Sequence, residues 1–280
     1  MSITQLMINA GHGGPVSILG ESFDALIVGG GGGAGTNWYQ AYRDVGGGGG
    51  AQVLGQSSQT IAGSYFIQVG GGGPGDTDSD GSRRRGTDGS RTTFNGVTAK
   101  AGGCGFSHAA TNLPWGLSSH TYSPAVQGGG GGWSDTRPSV TGETYAGSRS
   151  NGYNTTPSDT GGGAGGAAAS ASSPGVGVSS SITGSSVTYG AGGNGTHGVP
   201  STYGSGGGAS GSTNTVGRAG ASGVVYVRLS GVSVSQATID SQLSSASNMT
   251  TTVSAVGSDT LIEFRPTTAT TSASVTWTPA

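Results

Sequence analysis

In 280 residues the chain carries 61 glycines, roughly three times the usual share of about 7%. Leu, Ile, Val and Phe together fall below the roughly 20% under which chains tend to disorder, yet the formal net charge is only −2, so charge repulsion does not hold this chain open. That excludes a large oily core, and with only 10 Pro and no strict Gly-X-Y period it excludes collagen as well.

Residues 1–20 form a leader with apolar Ile3, Leu6, Met7 and Ile8. It lacks a basic start and a long apolar run, so it is read as an attachment segment and not as a signal peptide. Residues 21–229 hold nearly all the glycine runs. The segment FDALIV at 23–28 runs straight into glycine, as does YFIQV at 65–69, and VVYVRL at 224–229 closes the region. β-branched and aromatic runs bounded by glycine predict strands. Between them lie glycine clusters at 29–35, 46–50, 70–75, 102–105, 128–132, 161–166, 190–195 and 204–208. Their spacing is unequal, so a fixed-period solenoid is not expected. Residues 230–280 abruptly lose glycine and turn Ser/Thr/Val-rich. There VSV at 232–234 alternates, LIEFR at 261–265 and VTW at 275–277 are strand-like, and Ile239 and Leu243, four apart, mark a short helix. The segment is short for an independent core and is read as a small β domain.

A run of glycines poses a physical problem. Fixing one residue costs about 1–2 kcal/mol, and glycine loses the most freedom, so an isolated run stays coil. In the polyproline II conformation a chain has three residues per turn, about 3.1 Å rise and no internal hydrogen bonds, so its N–H and C=O groups point outward all round. Several such helices side by side bond to one another on every side, provided no Cβ intervenes, each bond adding about 0.5–1.5 kcal/mol net. The expected fold class is therefore mostly irregular and β: a bundle of polyglycine II helices framed by short β-strands, with the small C-terminal β domain attached. The alternative is that the runs are flexible spacers, although four Trp, nine Tyr and five Phe set among them fit a linker badly.

Charge excludes some partners. Lys100 is the single lysine among 11 basic residues, and no basic face suited to a phosphate backbone is visible, so nucleic acid is not an expected partner. No stretch of about 18 apolar residues exists, so no membrane insertion is expected. One cysteine, Cys104, excludes an internal disulfide framework and is read as a buried thiol.

Asp76, Asp78 and Asp80 with Gly81 match the opening of a calcium loop, but position twelve is Thr87 and Arg83, Arg84 and Arg85 sit inside it. A solvated, self-paired loop is the preferred reading, and no metal or other cofactor is expected. His12, His108, His120 and His197 lack metal-ligand spacing, and neither a GxSxG elbow nor a P-loop lysine motif is present, so the chain is not expected to be an enzyme.

The stretches FDALIVGGGGGAG, GGGGGAQVLGQSSQTIAGSYFIQVGGGGPG and TTFNGVTAKAGGCG, then SSPGVGVSSSITGSSVTYGAGGNG and GSGGGASGSTNTVGRAGASGVVYVRL, resemble the glycine-rich domain of bacteriophage tail-fibre and adhesin proteins. The likeness covers about residues 21–229 and departs at 230–280. It implies a polyglycine II core, a place on a virion assembled in the host cytoplasm and released on lysis, and receptor binding during host attachment. The implied partners are other virion proteins, a bacterial surface polysaccharide or outer-membrane protein, and further copies of the chain, as in a trimer. Residues 230–280 are then expected to pack on the glycine bundle, a symmetry mate or another virion protein.

If the runs are rods, the segments between them are surface loops, where function usually sits. Three hold residue types enriched at binding hot spots: Trp38, Tyr39, Tyr42 and Arg43 in 36–45; Trp115 and Tyr122 in 106–127; Trp133, Arg137, Tyr145 and Tyr153 in 133–160. The binding reading makes them receptor contacts; the alternative is that the rings cap the bundle. Two other functions fit the same composition: a purely structural virion component (decoration, connector or filament protein), and, more remotely, an ice-binding protein, for which no regular Thr or Ala array is visible.

Overall fold

The computed structural model describes residues 17–36, 46–77, 86–105, 126–127, 163–166, 173–194, 200, 202–208 and 216–280. The fold is mostly β-sheet with almost no helix, and it is built from two face-to-face antiparallel sheets prolonged at one end by the glycine runs. Where the sequence has β-branched and aromatic runs, strands form: β1 Ser22–Val28, β3 Tyr65–Val69 and β10 Val224–Leu229. Between them lie β2 Val53–Thr60, β4 Thr92–Phe94, β5 Val97–Ala99 and three short pieces, β6 Ala101–Gly102, β7 Val126–Gln127 and the hairpin of β8 Val178–Ser180 with β9 Val187–Tyr189.

Residues 230–280 add α1 Gln236–Ser241 and strands β11 Leu243–Ser247, β12 Met249–Val256, β13 Asp259–Pro266 and β14 Ala273–Trp277. Ile239 is the buried residue of α1, whose N-cap is Ser235, while Leu243 lies beyond the helix and opens β11. These strands enter both sheets. One sheet has the order β12-β13-β10-β1-β2, the other β11-β14-β3-β4-β5. The pairs Phe23 with Leu229 and Tyr65 with Trp277 therefore join distant parts of the chain, and Val227 with Ile262 ties residues 230–280 to β10. One core lies between the sheets, with Phe23, Ile27, Val225, Ile262 and Phe264 on one side and Tyr65, Ile67, Phe94, Val275 and Trp277 on the other. Its aromatic rings meet edge-on or tilted, Phe23 to Phe94 at 5.9 Å and Phe264 to Trp277 at 5.9 Å, the preferred geometry for such pairs. The side chains between these positions on β1 and β10, Leu26, Val28, Val224 and Tyr226, face the other way into a second cluster with Ile182 and Tyr189, which closes the outer face of that sheet.

The glycine runs continue the strands: 29–36 follows β1, 46–52 leads into β2, 70–77 follows β3, and 216–223 leads into β10. Run 29–36 lies at the centre of six others. Its N–H groups donate outward with a period of three. Gly29, Gly32 and Gly35 donate to Gln52, Gly49 and Gly46; Gly30 and Gly33 to Ser90 and Thr87; Gly31 and Ala34 to Ala221 and Arg218. Its carbonyls accept from three further runs: Gly30 and Gly33 from Gly102 and Gly105, Gly31 and Ala34 from Gly73 and Asp76, and Gly32 from Gly207.

The six outer runs also bond around the ring, in the order 46–52, 100–105, 86–91, 70–77, 216–223, 202–208 and back to 46–52. Gly49 donates to Gly103, Gly89 to Gly102, Thr87 to Pro74, Gly220 to Gly73, Ala221 to Ser205 and Gly48 to Gly207, all at 2.7–3.0 Å. Residue numbers descend across the three pairings in which 29–36 donates, making those neighbours antiparallel, and the three alternating with them run parallel to it. A Cβ placed on Gly30, Gly31, Gly32 or Gly33 would fall inside the contact distance of a neighbouring main-chain carbonyl, at Gly71, Ser205, Gly103 and Pro74 respectively. Close approach of backbones is thus what the glycines provide.

Candidate functional site

Two places form candidate sites: the end of the glycine bundle remote from the sheets, and a cleft on its flank. At the remote end the ring alternation has a direct consequence. Runs 29–36, 70–77, 100–105 and 202–208 share one direction and all leave the bundle at the end away from the strands, while 46–52, 86–91 and 216–223 begin there. Thr36 ties this end together. Its hydroxyl donates to the Asp76 carbonyl at 2.5 Å and accepts from the Gly217 N–H at 3.0 Å. The sequence-predicted contacts Trp38, Tyr39, Tyr42, Arg43, Trp115, Tyr122, Trp133, Arg137, Tyr145 and Tyr153 lie outside the described residues. What the structure does place is the pair of chain ends bounding the first loop: Gly35 donates to Gly46 at 3.1 Å, so 36 and 46 are neighbours.

Asp76, offered from sequence as a calcium ligand, is buried in the bundle, with its N–H on the Ala34 carbonyl and its own carbonyl engaged by Thr36 and Gly217; Asp78 and Asp80 lie outside the described residues. Among the described residues no three His, Cys, Asp or Glu side chains gather, and no helix is long and apolar enough to cross a membrane. Cys104 is buried, with its N–H on the Asp88 carboxylate at 2.7 Å.

The flank cleft is lined by Tyr189, Tyr203, Tyr226, Thr183, Thr202 and Arg218 and has a volume of about 620 Å³. β9 ends on Tyr189, and β10 sends Tyr226 to the outer face of its sheet by strand alternation. Tyr203 opens run 202–208. Two of the three tyrosines stand in the same tripeptide, Thr-Tyr-Gly at 188–190 and 202–204, and in each the glycine takes a positive φ, 67° and 73°, which turns the chain from the ring into a glycine run. The two tripeptides touch, because the Gly190 N–H donates to the Tyr203 carbonyl at 3.1 Å.

The rings of Tyr189 and Tyr203 both meet Tyr226 edge-on, at 6.2 and 6.3 Å. Glu263 on β13 collects their hydroxyls: Tyr203 donates to its Oε1 at 2.6 Å and Tyr226 at 3.5 Å, with Arg265 Nε 3.9 Å from the same oxygen. Burial pushes the phenol of Tyr226 well above the ordinary tyrosine range, and the Glu263 charge adds to it; for Tyr203 burial leads again, followed by its hydrogen bond to Glu263. Tyr189 rises too, chiefly through burial. All three are neutral phenols at physiological pH, so their hydroxyls donate to Glu263 and to one another, and the carboxylate does not face bare apolar surface. Tyr189 and Tyr226 form the buried floor at 2% and 7% exposure, and Tyr203 stands half-buried in the wall. The exposed Arg218 belongs to run 216–223, and only its backbone enters the bundle: its N–H donates to Gly208 and its carbonyl accepts from Ala34.

Sequence reasoning missed this cleft. The repeated Thr-Tyr-Gly, each entering a glycine run, is the signal that would have found two of its three rings; Tyr226 reads only as a strand residue. No match is found among characterised proteins or among solved structures. A family model described as a glycine-rich domain matches residues 15–230, which span every run of the bundle, all three cleft tyrosines and the closing strand β10, and the chain accordingly belongs to that glycine-rich domain family.

Proposed function

We propose that this protein is a bacteriophage virion fibre or tail-tip component, in which a rigid glycine bundle presents loops that bind the host cell surface, acting by recognition and not by catalysis. The runs 29–36, 46–52, 70–77, 86–91, 100–105, 202–208 and 216–223 are read as polyglycine II helices. In support, the three-residue period of their hydrogen bonds is that of a threefold helix with outward-facing amides.

One observation carries the functional reading. Seven runs are locked to one another by backbone bonds, and the chain ends flanking 37–45, 78–85 and 209–215, together with the end at 105, meet on one end of the bundle. A rigid frame that gathers connecting loops at one end is the arrangement by which binding loops are usually displayed. The aromatic and arginine residues of 36–45 and 106–160 supply side chains suited to recognition. Residues 230–280, whose strands join both sheets at the end away from the loops, would face the rest of the particle.

The test is an exchange of residues 36–45 and 106–160 for those of another such domain in the assembled particle. Adsorption should change host range or fall, with particle yield and composition intact. Adsorption left as it was would instead favour a structural virion component with no receptor, such as a connector.

A further inference from the structure

We propose that the flank cleft between the β8–β9 hairpin and run 216–223 is a binding site for a saccharide that carries a carboxylate, with the sugar lying against Tyr203 and its acid group on Arg218. This goes beyond the loop reading and does not depend on it, because no residue that lines the cleft belongs to 36–45 or 106–160.

The volume, about 620 Å³, is in the range of small-ligand sites, commonly about 300–1,000 Å³. The lining mixes the two surfaces a sugar ring needs. Val187, Pro200, Ala219 and Ala221 offer apolar patches for C–H faces, and the half-buried Tyr203 ring adds an aromatic one. Thr183 and Thr202 line the same space, and the Thr202 hydroxyl is held by the Ser205 hydroxyl at 2.9 Å.

The walls are fixed in advance. Gly204 donates to Ser222 at 2.8 Å, Ala221 to Ser205 at 2.8 Å, and Gly190 to Tyr203 at 3.1 Å, so ligand binding orders little backbone. The charge is what selects the ligand. Glu263 behind the floor is taken up by Tyr203, Tyr226 and Arg265, whereas among the described residues no carboxylate pairs with Arg218, the single charged side chain of the lining. A guanidinium presents a planar fork matched to a carboxylate, and such a bond is stronger than a neutral one.

The experiment uses the full chain and a panel of oligosaccharides bearing uronic or sialic acid, each beside its neutral counterpart, titrated by calorimetry and by ligand-observed NMR. The expected result is saturable binding of one or more acidic members. The neutral counterpart should bind about tenfold more weakly, and Arg218→Gln should weaken the acidic member by about the same factor, the scale of one charge-assisted hydrogen bond. Tyr203→Ala should abolish binding. Because Tyr203 also packs against the second apolar cluster, Arg218→Gln, whose side chain takes no part in the bundle, is the deciding variant, and Phe66→Ala on the far sheet is the control. No binding across the panel, equal affinity for neutral and acidic members, or binding untouched by Arg218→Gln would overturn the proposal. The exchange of 36–45 and 106–160 leaves every lining residue of the cleft in place, so the loop reading stands or falls separately.

Discussion

At the scale of single residues, the meaning of glycine depends on what lies where its Cβ would be. Gly32 sits at the centre of the ring, donating to Gly49 at 3.0 Å and accepting from Gly207 at 2.8 Å, and a Cβ there would collide with the Gly103 carbonyl. Ala34, two positions on, is fully buried, so the bundle does admit a methyl at some positions. Gly55 on β2 has open space and no left-handed φ. The same substitution should therefore have opposite signs at the two sites. Gly32→Ala is expected to cost about 3 kcal/mol by overpacking, whereas Gly55→Ala should stabilise by about 0.5 kcal/mol by restricting the unfolded chain. Thermal or denaturant unfolding of the pair checks this, and equal effects would mean that packing against carbonyls is not what selects glycine.

At the scale of elements, each of the four sheet edges carries a device against pairing with another chain, a need that exposed edges impose. β2 is bulged where its register shifts between Phe23 and Ala25, with Ser58 at φ 53° and its N–H on the Asp24 carboxylate at 2.8 Å. β11 is irregular around Ser245, also at φ 53°, and β5 is only three residues long. β12 has eight residues with neither charge nor proline, and there α1 supplies the protection. Gln236 accepts from the Val253 N–H at 2.7 Å and donates to the Thr251 carbonyl at 3.2 Å, so its side-chain amide takes the place of a neighbouring strand's peptide group. Gln236→Ala keeps a good helix former in α1 but opens that edge. Loss of about 1–2 kcal/mol of stability is expected, together with concentration-dependent self-association on size-exclusion chromatography. A variant that stays monodisperse over the concentration range in which the parent does would show that the edge needs no cover.

At the scale of the molecule, the glycine-rich family match ends at 230, but the core does not. β13 lies beside β10 and β14 beside β3, and Ile262, Phe264, Val275 and Trp277 are fully exposure-free in the space between the sheets. Each such side chain contributes roughly 1.5–3 kcal/mol when buried, and the whole fold is expected to be stable by only about 5–15 kcal/mol. A chain ending at residue 230 should therefore lose cooperative unfolding and aggregate, because β10 and β3 would each lose a hydrogen-bonded neighbour and their apolar faces would meet water. Circular dichroism and hydrogen exchange decide the matter: native-like protection in β1 and β10 of the shortened chain would mean that the glycine bundle is sufficient on its own.

Local chemistry made much of this legible. The segments at 23–28, 65–69 and 224–229 declared themselves as strands because β-branched and aromatic side chains stop abruptly at glycine, and the glycine runs implied backbone packing because nothing else in them can pack. The C-terminal segment read as strands for the same local reason. Its destination did not, since the pairing of Tyr65 with Trp277 or Val227 with Ile262 depends on which surfaces meet after the chain has turned many times. The order of runs around the ring belongs to the same class: glycines carry no side-chain pattern that distinguishes one neighbour from another, so direction and register come from the strands to which each run is attached. The tyrosine cleft is likewise tertiary. Tyr189 and Tyr203 meet the ring of Tyr226, and Tyr203 and Tyr226 share Glu263, only because a hairpin, a glycine run and two sheet strands come together there. Composition determined that the glycine runs must use their backbone as packing surface; the tertiary structure alone decided which backbones touch and set an apolar core between the sheets beside them, because hydrogen bonds between identical glycines are strong enough to hold a bundle but carry no address.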